Sequence, residues 1–248
     1  MKQIAQALAI LCINIIMIIS INTGTASGVE NQKTIVQPLQ LATGPASIEP
    51  NTERRPVVIM LSGADGPFHY NEFSDKLEKL GYYVLLLDSR KFPYEDTESC
   101  KLKLSEEINR ALSSPNAISG RVVVIGYSLG GWIALSAASN MPKSVSTVIA
   151  YYPNTKWIKD LKTFANRFEV PILVFQGEAD IFRNCCTIER IQEISFAAKE
   201  RGKNFDLVVY PGAGHCFNVQ RNPSFIFYSI SAADSWQKTL DALKKYYP

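Results

Sequence analysis

RVVVIGYSLGGWIALSAAS, residues 121–139, is the stretch that decides the fold. It begins with an apolar, β-branched run, Val122 to Ile125, which predicts a buried strand, and it ends in an Ala-rich segment that predicts a buried helix. Between them lies the turn Gly-Tyr-Ser-Leu-Gly at 126–130. Glycines flank a nucleophile on such a strained turn because a β-carbon there would collide with neighbouring backbone. The stretch therefore predicts Ser128 as a nucleophile, with the Leu129 amide at a helix start, where it can stabilise an oxyanion.

Residues 1–28 have the features of a secretory signal peptide. Lys2 is the only charged residue before a mostly apolar run from Ala5 to Ile21, and the small residues Ala26 to Gly28 fit a cleavage site. The apolar run is short for a membrane span of about 20 residues, so we expect cleavage rather than an uncleaved anchor. The expected location is therefore secreted or periplasmic, with no integral membrane span after signal removal.

The rest of the chain divides into a partly irregular leader at 29–55, with a possible short strand at 34–41, and one domain at 56–248. Apolar strands alternate with helical segments through the domain. The predicted strands are 56–61, 83–87, 122–125, 144–151, 170–175 and 205–210, and the predicted helices besides the one after Ser128 are 70–80, 98–112, 185–201 and 224–245. This alternation predicts an α/β fold with a mostly parallel central sheet and helices on both faces.

Candidate catalytic residues follow the predicted strands, at whose carboxyl ends the chemistry of such sheets gathers. A serine hydroxyl needs a base to take its proton, and His215 lies in a Gly-rich loop after the last strand. Asp180 follows the preceding strand and would orient the His215 ring and stabilise the imidazolium. The order Ser128, Asp180, His215 matches the triad of the α/β-hydrolase fold. The loop after the first strand should supply a second oxyanion donor, which we assign to the amide of Ala64.

Several residues have an alternative interpretation. Asp180 could instead cap the following helix, and the rival acids are Glu178 and Asp206, of which Asp206 begins a strand and so should lie at the opposite edge. His69, the other of the two histidines, is expected at the rim of the site rather than as a catalyst. Four aromatic residues could line the pocket, although packing is their commoner role: Trp132, Trp157, Phe182 and Phe217.

The net charge and the cysteines bear on possible nucleic-acid partners, disulfides and metal ligands. The net charge is +3 with no run of Lys or Arg, which gives no reason to expect nucleic acid. Four cysteines follow the signal, at 100, 185, 186 and 216, and an even number in an exported chain indicates disulfides. We expect a bridge from Cys100 to Cys185 or Cys186 rather than a strained bridge between the adjacent pair. Metal binding is a weaker alternative because no C-x-x-C or H-x-x-x-H spacing occurs, so no metal or organic cofactor is expected.

Three blocks of sequence together resemble the dienelactone hydrolase family of α/β-hydrolases: GYSLGG at 126–131, FQGEAD at 175–180 and YPGAGHCF at 210–217. The resemblance extends from Pro56 to the C-terminus. It implies Ser128 as nucleophile, Asp180 as acid and His215 as base. Dienelactone hydrolases use cysteine as the nucleophile, so the serine here points to a general esterase. A fainter similarity to the periplasmic VirJ-like hydrolases, through residues 61–66, 87–89 and 126–128, implies a lipid-headgroup ester.

The combined hypothesis is an exported serine hydrolase that cleaves a carboxylic ester through a Ser-His-Asp triad and an acyl-enzyme. Its partner would be a small-molecule or lipid-derived ester. Two alternatives stay open: a lipid-headgroup, thioester or peptide hydrolase with the same triad, and a non-catalytic binding protein on the same fold.

Overall fold

The computed structural model describes residues 53–246. The predicted signal peptide and nearly all of the leader, including the possible strand at 34–41, lie outside the described residues, as do the last two residues of the chain. Within the described part no helix has the length and hydropathy needed to cross a membrane.

Six strands form one sheet in the order β2-β1-β3-β4-β5-β6, and every pair of neighbours is parallel. The strands are β1 (Val57–Leu61), β2 (Tyr83–Leu87), β3 (Val122–Tyr127), β4 (Val145–Tyr151), β5 (Ile172–Gly177) and β6 (Phe205–Tyr210). The predicted strands are confirmed to within two residues at each end. The four inner strands, β1, β3, β4 and β5, are buried along most of their length and are nearly continuous apolar runs, whereas the edge strands β2 and β6 are partly buried but also mainly apolar.

Six α-helices connect and follow the strands within the described residues. They are α1 (Asn71–Lys79), α2 (Thr97–Leu112), α3 (Leu129–Ser136), α4 (Leu161–Asn166), α5 (Ile188–Glu200) and α6 (Ser229–Tyr246). The sequence predicts the start of two helices several residues too early. Helix α5 is predicted from 185 but begins at Ile188, and α6 is predicted from 224 but begins at Ser229. Thr187, just before α5, has an extended backbone with φ −73° and ψ 150°, so a helix cannot run through it from 185.

The helices cover both faces of the sheet. In β1, Val57, Ile59 and Leu61 point into a core built with α2, α3, α4 and α5. Val58 and Met60 point to the other face, which is covered by α1 and α6. This alternation follows from the period of two along a strand. The predicted α/β-hydrolase architecture is therefore confirmed, and the carboxyl ends of all six strands lie along one edge.

The predicted cysteine pairing is wrong. The structure joins Cys185 to the adjacent Cys186, whereas Cys100 and Cys216 are buried free thiols. The expected bridge from Cys100 does not form because Cys100 lies on α2, which packs against β1. The paired cysteines follow β5, and β3 and β4 separate that strand from β1.

Candidate active site

Ser128 lies on the turn between β3 and α3, in a strained backbone conformation with φ 52° and ψ −107°. Its amide donates to the carbonyl of Tyr151 on the neighbouring strand at 3.0 Å. A β-carbon on Gly126 would overlap the carbonyl of Gly130, and one on Gly130 would overlap the carbonyl of Leu61. Both glycines are therefore required for α3 to start this close to the sheet, which holds Ser128 on the turn.

His215 and Asp180 meet Ser128 at the edge formed by the strand ends. The Nε2 atom of His215 lies 3.0 Å from the Oγ atom of Ser128, and its Nδ1 atom lies 2.7 Å from Oδ2 of Asp180. All three residues are buried, with 6% or less of each exposed. The structure thus brings together the three residues that the sequence analysis selected, within hydrogen-bond reach and in the order nucleophile, imidazole, carboxylate.

The carboxylate of Asp180 is fixed by its own partners. Its Oδ1 accepts from the amide of Phe182 at 3.1 Å, and Nε2 of Gln176 lies 3.4 Å from Oδ2. Gln176 is in turn anchored at the carbonyl of Cys186, at 2.7 Å. A carboxylate at Nδ1 selects the tautomer with its proton there, which leaves Nε2 of His215 free to accept the Ser128 proton.

The His215 ring is held between aromatic rings. Phe182 stacks on it with a centroid distance of 4.7 Å and an interplanar angle of 15°, and Tyr152 meets it edge-on at 4.8 Å. These contacts fix the ring plane in addition to the hydrogen bonds. They also shield the imidazole from water, which strengthens its electrostatic interactions with its partners.

A cavity of about 50 Å³ opens beside the Ser128 side chain. Ala64, from the loop after β1, lines this cavity. Leu129 is the first residue of α3, so its amide has no acceptor within the helix. Of the two residues assigned to the oxyanion site, Leu129 directly follows Ser128 and Ala64 lines the same cavity as Ser128. The Ala64 loop is held by Asn222, whose Nδ2 donates to Oδ2 of Asp65 at 3.1 Å.

The structure separates the rival candidates from this cluster. Glu178 is exposed and accepts from the amide of Gly212 at 3.1 Å, and Asp206 is exposed at the start of β6. His69 is not among the residues that line the Ser128 cavity. Of the four aromatic candidates, only Phe182 lines it. Trp132 packs on Phe164 in the core.

Several residues around the triad were missed by the sequence analysis. Gln176 is one of them. It could have been found, because a polar side chain at the end of an apolar, buried strand needs hydrogen-bond partners. Cys216 is another. It adopts a positive φ of 54°, it lies near Tyr152 and Tyr70, and burial raises the pKa of its thiol. Nothing in the local sequence indicated those tyrosines, because they come from distant segments.

One group of potential metal ligands includes a triad residue. Cys185, Cys186 and His215 have ligand atoms within 4.8 Å of one another. The two sulfurs are joined to each other, and a disulfide offers no thiolate to a metal. Both nitrogens of His215 are engaged by Asp180 and Ser128. This donor set therefore does not fit a resident metal.

The sheet order, the strained Ser128 turn and the Ser-His-Asp geometry define an α/β-hydrolase. A model of the dienelactone hydrolase family matches residues 89–247. The chain belongs to the dienelactone hydrolase family.

The individual relatives share less than a third of their aligned residues with this chain. A protein of Escherichia coli (strain K12) named "Putative carboxymethylenebutenolidase" is 29% identical over 132 residues, which cover 51% of this chain and 46% of the relative. One of the same name from Methylorubrum extorquens is 26% identical over 202 residues, covering 72% of this chain and 67% of the relative. The E. coli match thus spans about half of that relative's length. Among solved structures, one titled "Putative Dienelactone Hydrolase" from Klebsiella pneumoniae aligns with a TM-score of 0.67 at 21% identity, covering 78% of this chain and 88% of that chain. At this identity the likeness establishes the fold alone.

Proposed function

We propose that the chain is an exported serine hydrolase that cleaves a carboxylic ester. The observation that carries the proposal is the hydrogen-bonded series Ser128, His215, Asp180, with distances of 3.0 and 2.7 Å in a buried site. Membership of a hydrolase family supports the reaction class. The names of the curated relatives, which denote a lactone-type substrate, support an ester bond as the target.

In the acylation step His215 Nε2 takes the proton of Ser128 while Oγ bonds to the carbonyl carbon of the ester. The negative charge on the carbonyl oxygen is stabilised by the amides of Leu129 and Ala64. The tetrahedral intermediate collapses, the ester C–O bond breaks, and the imidazolium gives its proton to the leaving alcohol. Asp180 stabilises the imidazolium throughout.

In the deacylation step water takes the place of the alcohol. His215 removes a proton from the water, whose oxygen attacks the acyl carbon. The bond from that carbon to Ser128 Oγ then breaks, and the proton returns to Oγ. The products are a carboxylic acid and free enzyme. The small cavity at Ser128 favours a short acyl group on the substrate.

The proposed export rests on the sequence of residues 1–28, outside the described residues. A disulfide between Cys185 and Cys186 is in keeping with an oxidising compartment. Expression of the full chain with its own N-terminus in a bacterial host, followed by fractionation and mass measurement, tests it. We expect a periplasmic or secreted product that begins near Val29. A full-length product that stays in the cytosol would contradict export without touching the proposed chemistry.

Labelling with a fluorophosphonate probe tests the triad directly. We expect the wild-type chain to be labelled, and Ser128→Ala and His215→Ala to lose the label. Ser136→Ala is the matched control, because Ser136 is also buried, lies on α3, and its Oγ has no partner that the substitution would break. Its labelling should equal that of the wild type. A folded wild-type protein that is not labelled would instead favour a binding role for the fold.

A further inference from the structure

A second, larger cavity lies on the α1 and α6 side of the molecule. Its volume is about 490 Å³, which is within the range typical of small-molecule sites. Its wall is formed by the start of α1, the start of α6 and the segment 218–229. Four aromatic side chains supply much of its apolar surface: Phe68, Phe73, Phe227 and Trp236. None of its lining residues lines the cavity at Ser128.

Two polar atoms at this cavity are buried and have no hydrogen-bond partner among the described residues. One is Nδ2 of Asn218, a residue that is only 3% exposed, and the other is Nδ1 of His69. The Oδ1 atom of Asn218 accepts from the hydroxyl of Tyr152 at 2.9 Å, and in this orientation of the amide Nδ2 is the unpaired donor. Buried polar groups in folded proteins are nearly always paired, so an unpaired amide at a cavity indicates a missing acceptor.

The charged groups at the cavity balance one another. Lys76 forms an ion pair with Glu72 at 2.8 Å and lies over the ring of Trp236, 5.9 Å from its centroid. Arg221 also lies near Glu72, and together with Lys76 it lowers the pKa of that carboxyl. Asp75 is the second acid of the lining. With two cations and two carboxylates, the wall favours no strongly charged ligand such as a phosphate ester.

We propose that this cavity binds a small organic molecule with an apolar body and a carbonyl oxygen. The carbonyl oxygen accepts the hydrogen bond that Nδ2 of Asn218 offers. The aromatic walls bury the apolar body, which is the usual division of roles in such sites. His69 provides a second polar partner, since Nδ1 is a donor in one tautomer and an acceptor in the other.

The proposed site is separate from the triad and does not rest on the proposed hydrolysis. Tyr70, which is 2% exposed, lines the Ser128 cavity, whereas Phe68 and His69 just before it line the larger one. A hydrogen bond between Asn218 and Tyr152, whose ring touches His215, connects the two regions without merging the cavities. Binding is therefore expected whether or not Ser128 is an active nucleophile.

Titration with acetophenone, which has an aromatic body and a carbonyl acceptor but no donor, followed by NMR of the tryptophan indole groups, tests the proposal. The chain has three tryptophans, and Trp236 is the one that lines the cavity. Its indole signal, assigned by its loss in Trp236→Phe, should shift on titration. Asn218→Asp keeps an acceptor for the Tyr152 hydroxyl but replaces the free donor by an oxygen, and it should weaken binding by about tenfold.

Two further variants keep the result interpretable. Ala232→Trp on α6 adds a large side chain to the cavity wall while leaving Asn218 itself unchanged, and it should abolish the shift. Asn109→Asp makes the same chemical change at an exposed position on α2, on the opposite face of the sheet, and should bind like the wild type. Each variant is checked for a dispersed, native-like spectrum.

The inference is overturned if acetophenone leaves the Trp236 signal unmoved up to its solubility limit, or if either Asn218→Asp or Ala232→Trp binds as the wild type does. Ser128→Ala separates the two sites. Unchanged binding in that variant supports a distinct site even if the chain proves to have no hydrolase activity. Loss of binding would place the probe at the triad and contradict the proposal.

Discussion

Replacing Asp180 with asparagine changes one oxygen of the site into an NH2 group at nearly constant volume. The amide of Phe182 donates to Oδ1 at 3.1 Å and favours the side-chain orientation that keeps an oxygen there. The NH2 group then faces Nδ1 of His215, which lies 2.7 Å from the present Oδ2. As a donor it selects the tautomer with the proton on Nε2. That nitrogen then points a hydrogen at Ser128 and cannot accept the serine proton.

The opposite orientation of the new side-chain amide retains the productive tautomer but sets its NH2 group against the Phe182 amide, leaving a buried donor without an acceptor, which costs about 1–3 kcal/mol. Even there, the negative charge that stabilises the imidazolium is gone. We therefore expect kcat to fall by about 10⁴-fold, the size typical of this substitution in a serine triad. This corresponds to about 5.4 kcal/mol of transition-state stabilisation. Steady-state hydrolysis of p-nitrophenyl acetate measures it.

Asp160→Asn is the matched control for this substitution. Asp160 is exposed, accepts from the amides of Lys162 and Thr163 at 3.0 Å, and caps α4 away from the triad. Asparagine is an equally good cap, so both stability and kcat should be unchanged. If Asp180→Asn is folded and retains more than about one-tenth of the wild-type kcat, the assignment of Asp180 as the orienting acid is wrong.

Further expectations concern stability, thiol reactivity and substrate size. Gly130→Ala should lower the free energy of unfolding by at least about 2 kcal/mol in urea denaturation, because its β-carbon would overlap the backbone of β1, whereas Gly214→Ala, with nothing within 4 Å of its β-carbon, should stay within about 0.5 kcal/mol. Equal costs would contradict the packing argument. Burial raises the pKa of Cys100 to about 12 and also raises that of Cys216, so neither should react with iodoacetamide at pH 8 until the chain unfolds. Since unfolded thiols ionise near pH 8.5, the stability gained from keeping them neutral is present below about pH 8.5 and declines as the pH rises towards 12. Peptide mass spectrometry reports the labelling, and rapid native labelling of either thiol would refute its burial. Short acyl groups should be preferred at the small Ser128 cavity: p-nitrophenyl acetate should exceed the octanoate in kcat/KM by at least about tenfold, and the reverse order would show that the cavity opens.

The strands were predictable from the sequence because each one is a mainly apolar run, including the edge strands β2 and β6, which are only partly buried. β2 and β6 match the predicted bounds, and β3 extends the predicted strand by two residues to Tyr127. Helix starts were less predictable. The segment between the predicted start at 185 and the true start of α5 is held out of the helix by the extended backbone of Thr187 and by Cys185, whose carbonyl accepts from the amide of Thr155 at 2.7 Å. Such contacts join segments far apart in the chain, and no local pattern reports them.

The three candidate triad residues could be selected because each follows a strand, and parallel strand ends converge on one edge. The residues that surround and orient the triad could not be predicted in this way. Tyr152 reaches His215 only because β4 lies between β3 and β5, and strand order is not written in any one segment. The cysteine prediction failed for the same reason. The prediction considered only the strain of a bridge between adjacent cysteines. It did not include the strand order, which places β3 and β4 between Cys100, beside β1, and the cysteines after β5.

The part of the site that the fold fixes differs from the part that remains free to vary. Ser128 is placed by backbone packing of β3, α3 and β1, so its position depends on the sheet itself rather than on side chains around the cavity. The rest of the cavity wall comes from the segments after three different strands: Ala64 follows β1, Arg183 follows β5 and Phe225 follows β6. Loops accept substitution more readily than a packed sheet does. Substrate preference in this chain should therefore change with Arg183 and Phe225 while the nucleophile stays in place, as expected when function lies in a site carried by a shared architecture.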